Sequence, residues 1–208
     1  MTRHSHSPPW PAPPFRPAAP ADCRRIAELF AVASAGVSVL VWTTMADDYP
    51  GLSPIEIGEQ RYARENTDFS YQNCIVADEN DAIIGMLVTF AIPEETEDTH
   101  SGEDAEADPN DPLAPYAELG GPGSWYICGV AVEPDHQGRG LGTAFPDIAR
   151  RQARERGLDT LSLIVFAQNT GALRLYEREG FTVIDSRPVI PHLLIEYTGE
   201  ALLMTAKV

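Results

Sequence analysis

Lysine is nearly missing from this chain. Of 15 basic side chains set against 31 acidic ones only Lys207 is a lysine, and the formal net charge is −16. A surface of that sign repels phosphate backbones and anionic headgroups, which excludes nucleic acid and a charged membrane as main partners. It suits a cationic small molecule or peptide, and equally a plain solvated acidic surface. Cysteine is scarce as well. Cys23, Cys74 and Cys128 are odd in number and widely spaced. That pattern excludes a disulfide framework and a paired-cysteine metal site, and it predicts free thiols in a reducing, cytoplasmic setting. The histidines do not repair the metal case: His4 and His6 lie near the N-terminus, while His100, His136 and His192 stand alone. No metal is expected.

Long apolar runs are lacking too. The stretch Leu29 to Trp42 is broken by Ser34, Gly36 and Ser38. It is shorter than a bilayer requires, so it reads as a buried helix and its exit, with no membrane partner expected. The opening MTRHSHSPPWPAPPFRP has no apolar core of the kind a secretory leader carries, and its prolines predict a flexible arm over residues 1–15.

What remains, residues 16–208, is long enough for one domain with a real core. A short edge strand and a helix follow the arm, the helix opening near Asp22 and turning Ile26, Leu29, Phe30 and Ala33 inward. A second helix is predicted after Pro54, with Trp42, Met45 and Tyr49 in the loop between the two. Next comes a hairpin, Tyr71 to Asp78 and Ala82 to Ile92, joined at Glu79-Asn80-Asp81. Residues 93–123 hold ten acidic side chains and no basic one, and read as a loosely attached acidic insertion. The ligand spacing of a calcium loop is absent.

Order returns at Ser124 to Val132, a buried strand in which Gly129 predicts a bulge. A helix to Arg156 follows, with Pro146 as an irregularity, then a strand over Leu158 to Ala167. A further helix is capped by Asn169 and stopped by Gly180, and two strands close the chain.

The junction before the Arg156 helix carries the chemistry. It reads VEPDHQGRGLGT, Val132 to Thr143, with glycines at 138, 140 and 142. Glycine-rich strand-to-helix turns bind phosphate through bare amides at a helix N-terminus. A dinucleotide fingerprint fails because the third glycine is displaced and the turn lies late in the chain. A P-loop fails because no lysine precedes Thr143. Between Glu133 and Gly180 seven arginines balance seven acids, so the acidic chain is locally neutral here, and Arg139 is the expected side-chain partner of a phosphate.

The stretch resembles the acyl-CoA signature of the GNAT superfamily of N-acyltransferases. It has Val132-Glu133-Pro134, then Gln137-Gly138-Arg139-Gly140-Leu141-Gly142, and later Asn169, Tyr176 and Gly180-Phe181 at the family's positions. The resemblance covers residues 16–208 apart from the acidic insertion. It implies an α/β fold with a mixed, mostly antiparallel sheet of about seven strands, the fourth and fifth splayed, flanked by about four helices. It also implies acetyl-CoA as co-substrate, its pyrophosphate on the amides of residues 138 to 143. Its pantetheine would lie along Val130, Ala131 and Val132, with Asn169 bonding it. Asn169 is equally readable as a plain helix cap.

The resemblance further implies acetyl transfer to a primary amine of a small molecule or peptide. The Val130 amide would polarise the thioester carbonyl, and Tyr176 would act as general acid. Trp42, Met45, Tyr49 and Tyr126 would line an aromatic acceptor pocket. A homodimer is compatible with all this. The carboxylates that some relatives use as base fall here on Ile164 and Tyr126, which leaves Glu133 through a water, a backbone carbonyl or bulk solvent. A non-catalytic acyl-CoA-binding module is the competing reading.

Overall fold

The computed structural model describes residues 10–94, 108 and 110–208. Its seven strands form one sheet in the order β1-β2-β3-β4-β5-β7-β6. They are β1 (Phe15–Pro17), β2 (Cys74–Glu79), β3 (Ala82–Ala91), β4 (Trp125–Val132), β5 (Thr160–Phe166), β6 (Thr182–Pro188) and β7 (Glu200–Lys207). Only the β4–β5 pair is parallel; every other pair is antiparallel. The helices among the described residues are α1 (Cys23–Ala33), α2 (Val37–Thr44), α3 (Pro54–Tyr62), α4 (Ala114–Glu118), α5 (Leu141–Glu155) and α6 (Thr170–Arg178). No single helix among them is long and apolar enough to cross a membrane.

Alternation along the strands divides the core between the two faces. Met86 and Val88 of β3 join Ile26, Phe30, Trp42 and Tyr62 from α1–α3. Leu87, between them, joins Phe145, Ile148 and Ala149 of α5 on the other face. The β2–β3 turn is two residues long, with Asn80 and Asp81 both in the left-handed region at φ 56° and 63°. Asn and Asp tolerate that region better than most residues, which is why a polar pair sits there.

The join between β4 and β5 is what creates a site. Their pairing covers only Trp125↔Leu161, Tyr126↔Ser162 and Ile127↔Leu163; beyond Ile127 the two strands part. The closed end is pinned. Ser124 Oγ lies 2.5 Å from Ser162 Oγ, and the indole N–H of Trp125 donates to Gln152 Oε1 at 3.2 Å. On the other edge of β4, Val88 faces Gly129 while Thr89 faces Ile127, so Cys128 is an extra residue and the strand bulges there.

Four expectations are corrected. The arm does not end at residue 15. Trp10 packs on the core beneath the Arg151 guanidinium, 4.3 Å from its ring centre, and Phe15 meets Phe145 edge-on at 5.2 Å. Residues 1–9 lie outside the described residues. The insertion is not loose throughout: residues 95–107 and 109 lie outside the described residues, but Leu113, Tyr116 and Leu119 pack against Phe166 and Leu203. Trp42 is not in a loop but on α2, and it is 4 % exposed. With α2 and α4 counted, there are six helices among the described residues rather than about four.

Candidate active site

Where β4 and β5 part, a cavity of about 360 Å³ opens between the strands and α1–α3. Its sheet side is formed by Cys128, Gly129 and Val130 of β4, Ile164 to Phe166 of β5, and Asn169, Ala172 and Tyr176 at α6. Its helical side is formed by Phe30, Ser38, Trp42, Arg61 and Phe69, with Tyr116 and Tyr126 nearby on the wall. Gly129 sits at the narrowest contact: a Cβ there would meet the Phe30 ring at 2.7 Å. Glycine at the bulge therefore lets α1 press against the opening.

Strand geometry decides which backbone groups face the gap. The Glu133 N–H bonds the Ile84 carbonyl at 2.8 Å, and a Cβ on Gly85 would approach Ala131 O to 2.9 Å. Residues 131 and 133 therefore present their polar groups to β3. Alternation turns those of Val130 and Val132 toward the parted side. The Gln137 amide donates to the Val132 carbonyl at 3.1 Å, consistent with this, and ties the loop to the strand. Of the three expected strand contacts only Val130 lines the cavity; the backbone of Ala131 is turned to β3.

The glycine turn ends at α5. Gly138 and Gly140 have φ of 74° and 86°, and no atom lies within 4 Å of where their Cβ would be. Gly140 caps the helix, whose first hydrogen bond runs from Ala144 N to Gly140 O at 3.1 Å, with no side chain capping the end. Leu141, Gly142 and Thr143 thus carry the amides left without an intrahelical partner at the N-terminus of a 15-residue helix. These residues fit a pyrophosphate. Arg139, expected to help, is instead in a two-pronged ion pair with Glu79 at 3.1 and 2.6 Å. Both partners are solvent-exposed, so water screens the pair.

Tyr176 lines the cavity and is 8 % exposed. Burial pushes its phenol up to about 12, so it stays protonated at any ordinary pH. Asn169 caps α6, its Oδ1 accepting from Ala172 N at 3.2 Å, and it lines the cavity as well. The residue is thus a helix cap that also stands on the cavity wall. Cys128 is pushed well up by burial, so its thiol is not a ready nucleophile.

On the acceptor side the structure brings Trp42 and Tyr126 to the cavity wall but not Met45 or Tyr49, which pack on the α1–α3 core instead. Tyr49 and Met45 are carried past the cavity because α2 ends at Thr44 and the chain turns away through Ala46–Asp48. Sequence reasoning missed Phe30, Phe69 and Arg61. Phe30 was legible only as a core position of α1, and Phe69 and Arg61 gave no signal of their own. Glu133, the candidate for a relayed base, is in close ion pair with Arg25 and lies outside the cavity wall. Among the described residues, no Asp, Glu or His lines the cavity. Nor do any three His, Cys, Asp or Glu side chains gather as a metal set among the described residues.

Residues 40–181 match the model of the Acetyltransferase (GNAT) family. The chain belongs to the GNAT family. Mycothiol acetyltransferase of Geodermatophilus obscurus is 45% identical over 60 residues, which is 29% of this chain and 19% of that protein. The mycothiol acetyltransferase of Beutenbergia cavernae is likewise 45% identical, over 62 residues, 30% of this chain and 20% of its own. The chain thus spans about a fifth of the curated relatives it matches. Among solved structures, one described as an acetyltransferase superposes with a TM-score of 0.62 at 20% identity, covering 93% of this chain and 98% of its own. An N-acetyltransferase from Staphylococcus aureus Mu50 does so with a TM-score of 0.61 at 16% identity, covering 92% and 99%. The seven-stranded mixed α/β sheet with its single parallel pair is the family's fold.

Proposed function

We propose that this GNAT-family protein moves an acetyl group from acetyl-CoA to a primary amine of a small molecule or peptide. The observation that carries the reading is the parting of β4 and β5 beyond Ile127, with the bare amides of Leu141 to Thr143 beside one end and Tyr176 on its wall. Acetyl-CoA supplies an activated thioester when bound. The chain's own residues do the rest. The amides at the N-terminus of α5 hold phosphate, and Arg139 joins them on release from Glu79. The polar groups of Val130 and Val132 align an extended arm between the strands. The Val130 N–H stands where negative charge grows on a thioester carbonyl oxygen. The Tyr176 phenol, kept protonated by burial, donates to the departing sulfur.

That no acidic or histidine side chain stands on the cavity wall among the described residues favours a second reading, a module that binds acyl-CoA without turnover. Thiol release from acetyl-CoA, measured across a panel of primary amines, separates the two. A transferase releases thiol with at least one amine, and Tyr176→Phe then lowers kcat by roughly 10²–10⁴-fold while KM barely moves. Tight acetyl-CoA binding with no thiol release on any amine supports the module. Equal kcat in wild type and Tyr176→Phe removes the acid role.

A further inference from the structure

Among the described residues the cavity wall carries one charged side chain, Arg61, in the last turn of α3. The two acids nearest it in sequence are engaged elsewhere, while Asp68, further on, acts electrostatically on Cys128 of the same cavity. Glu59 pairs with Arg24 at 3.4 Å, and Glu65 accepts from the Tyr71 hydroxyl at 2.9 Å. Among the described residues Arg61 makes no ion pair, in a chain that carries twice as many acids as bases. A cation near a helix C-terminus complements the helix dipole, which accounts for the charge but not for its place on a cavity wall. The other lining residues of that side include the apolar or aromatic Phe30, Val41, Trp42 and Phe69, with Ser34 and Ser38 as its hydroxyls. They belong to α1–α3, the turn between α1 and α2 and the segment after α3, so this is the wall opposite the strands that take the donor.

Resting on the transferase reading, we infer that the acceptor amine carries a carboxylate which Arg61 binds, with an apolar or aromatic body lying on Phe30, Trp42 and Phe69. A guanidinium fork matches a carboxylate in two parallel hydrogen bonds, and in an apolar cavity such a pair is strengthened. One cation neutralises one negative charge. A phosphate dianion would bring a surplus charge into a small apolar space on a protein of net charge −16, which disfavours it. The class is therefore an amino monocarboxylate with an apolar body. The hydroxyl of Tyr116, whose ring meets Phe166 on the β5 side of the cavity, is buried without a partner among the described residues and offers such a molecule a further hydrogen bond.

The test compares each carboxylate with its carboxamide: L-phenylalanine with L-phenylalaninamide, L-leucine with L-leucinamide, and ε-aminocaproate with its amide. Thiol release is read as kcat/KM, and melting shift is read on the acetyl-CoA-saturated protein. At least one carboxylate should beat its amide tenfold or more in kcat/KM, or shift melting where the amide does not. Arg61→Met should erase that preference and Arg61→Lys restore part of it, while the melting shift from acetyl-CoA alone stays as in wild type. Amides that equal or outrun every carboxylate, or a preference that survives Arg61→Met, overturn the inference and leave the transferase reading standing. Neither turnover nor a melting shift with any of the carboxylates overturns it too. Loss of the acetyl-CoA shift in the wild type is the distinct failure of the donor site.

Discussion

At Tyr176 a single hydroxyl is proposed as the acid, and its surroundings keep it protonated. Burial against Phe181, whose ring centre is 5.5 Å away, leaves the phenol little water to stabilise an anion. With its pKa pushed up to about 12, the proton is held through the whole working range. Turnover should therefore rise with pH as the acceptor amine loses its proton, and should show no falling limb from Tyr176 up to about pH 10. Tyr176→Phe should lower kcat at every pH without changing the shape of the curve. A falling limb near pH 8 that vanishes in Tyr176→Phe would show that the phenol titrates far below its burial-raised value.

Gly140 is a residue-scale case of a different kind, because its backbone and its emptiness both matter. At φ 86° an ordinary side chain is strained, and a carboxylate there would also face the phosphate. Gly140→Asp should abolish the melting shift produced by acetyl-CoA, which for wild type at a hundred times Kd is about 2.7 kcal/mol. Gly140→Asn is the control, since Asn tolerates positive φ and adds no charge; it should keep the fold and part of the shift. An undiminished shift in Gly140→Asp would move the pyrophosphate elsewhere.

Among the elements, the strands of the sheet centre and the glycine turn were readable because period-two apolar runs and a left-handed turn leave local marks in a sequence. The bulge was readable from Gly129. α2 was not: Ser34, Ala35 and Gly36 turn the chain between two apolar helices, and a single apolar run hides that break. α4 was masked by its acidic surroundings, since Leu113, Tyr116 and Leu119 are too few to set a period. The place of β7 between β5 and β6, and of Arg61 opposite the gap, follows from pairing and packing between residues far apart in sequence, which no local window records. Leu119, 4 % exposed in the cluster with Phe166 and Leu203, tests the α4 correction. Leu119→Ala should cost about 2–5 kcal/mol in urea unfolding. Replacing all of residues 93–123 by a short Gly/Ser linker should likewise destabilise, by removing the Leu113, Tyr116 and Leu119 packing. A cost near zero for both would make the segment an ornament of the surface.

Taken whole, the molecule poses an electrostatic problem that no single residue shows. The ligand proposed for its cavity is polyanionic, and the protein's formal net charge is −16. Steering at long range should then oppose encounter, in contrast to the usual case of opposite charges. Capture depends on short-range groups alone: the amides at the α5 N-terminus, and Arg139 once Glu79 gives it up. Salt separates the two ranges, because the screening length shrinks from ~30 Å at 0.01 M to ~8 Å at 0.15 M. Over that interval the repulsion of the whole surface is screened, while contacts at hydrogen-bond distance are little affected. The association rate of acetyl-CoA, followed by stopped flow, should therefore rise between 0.01 and 0.15 M salt, with the dissociation rate nearly constant. Glu79→Gln should raise the association rate further at low salt, by removing one charge and freeing Arg139. An association rate that falls steadily as salt is added would mean that the local basic groups dominate the field at long range, and that the acidic surface plays no part in admitting the ligand.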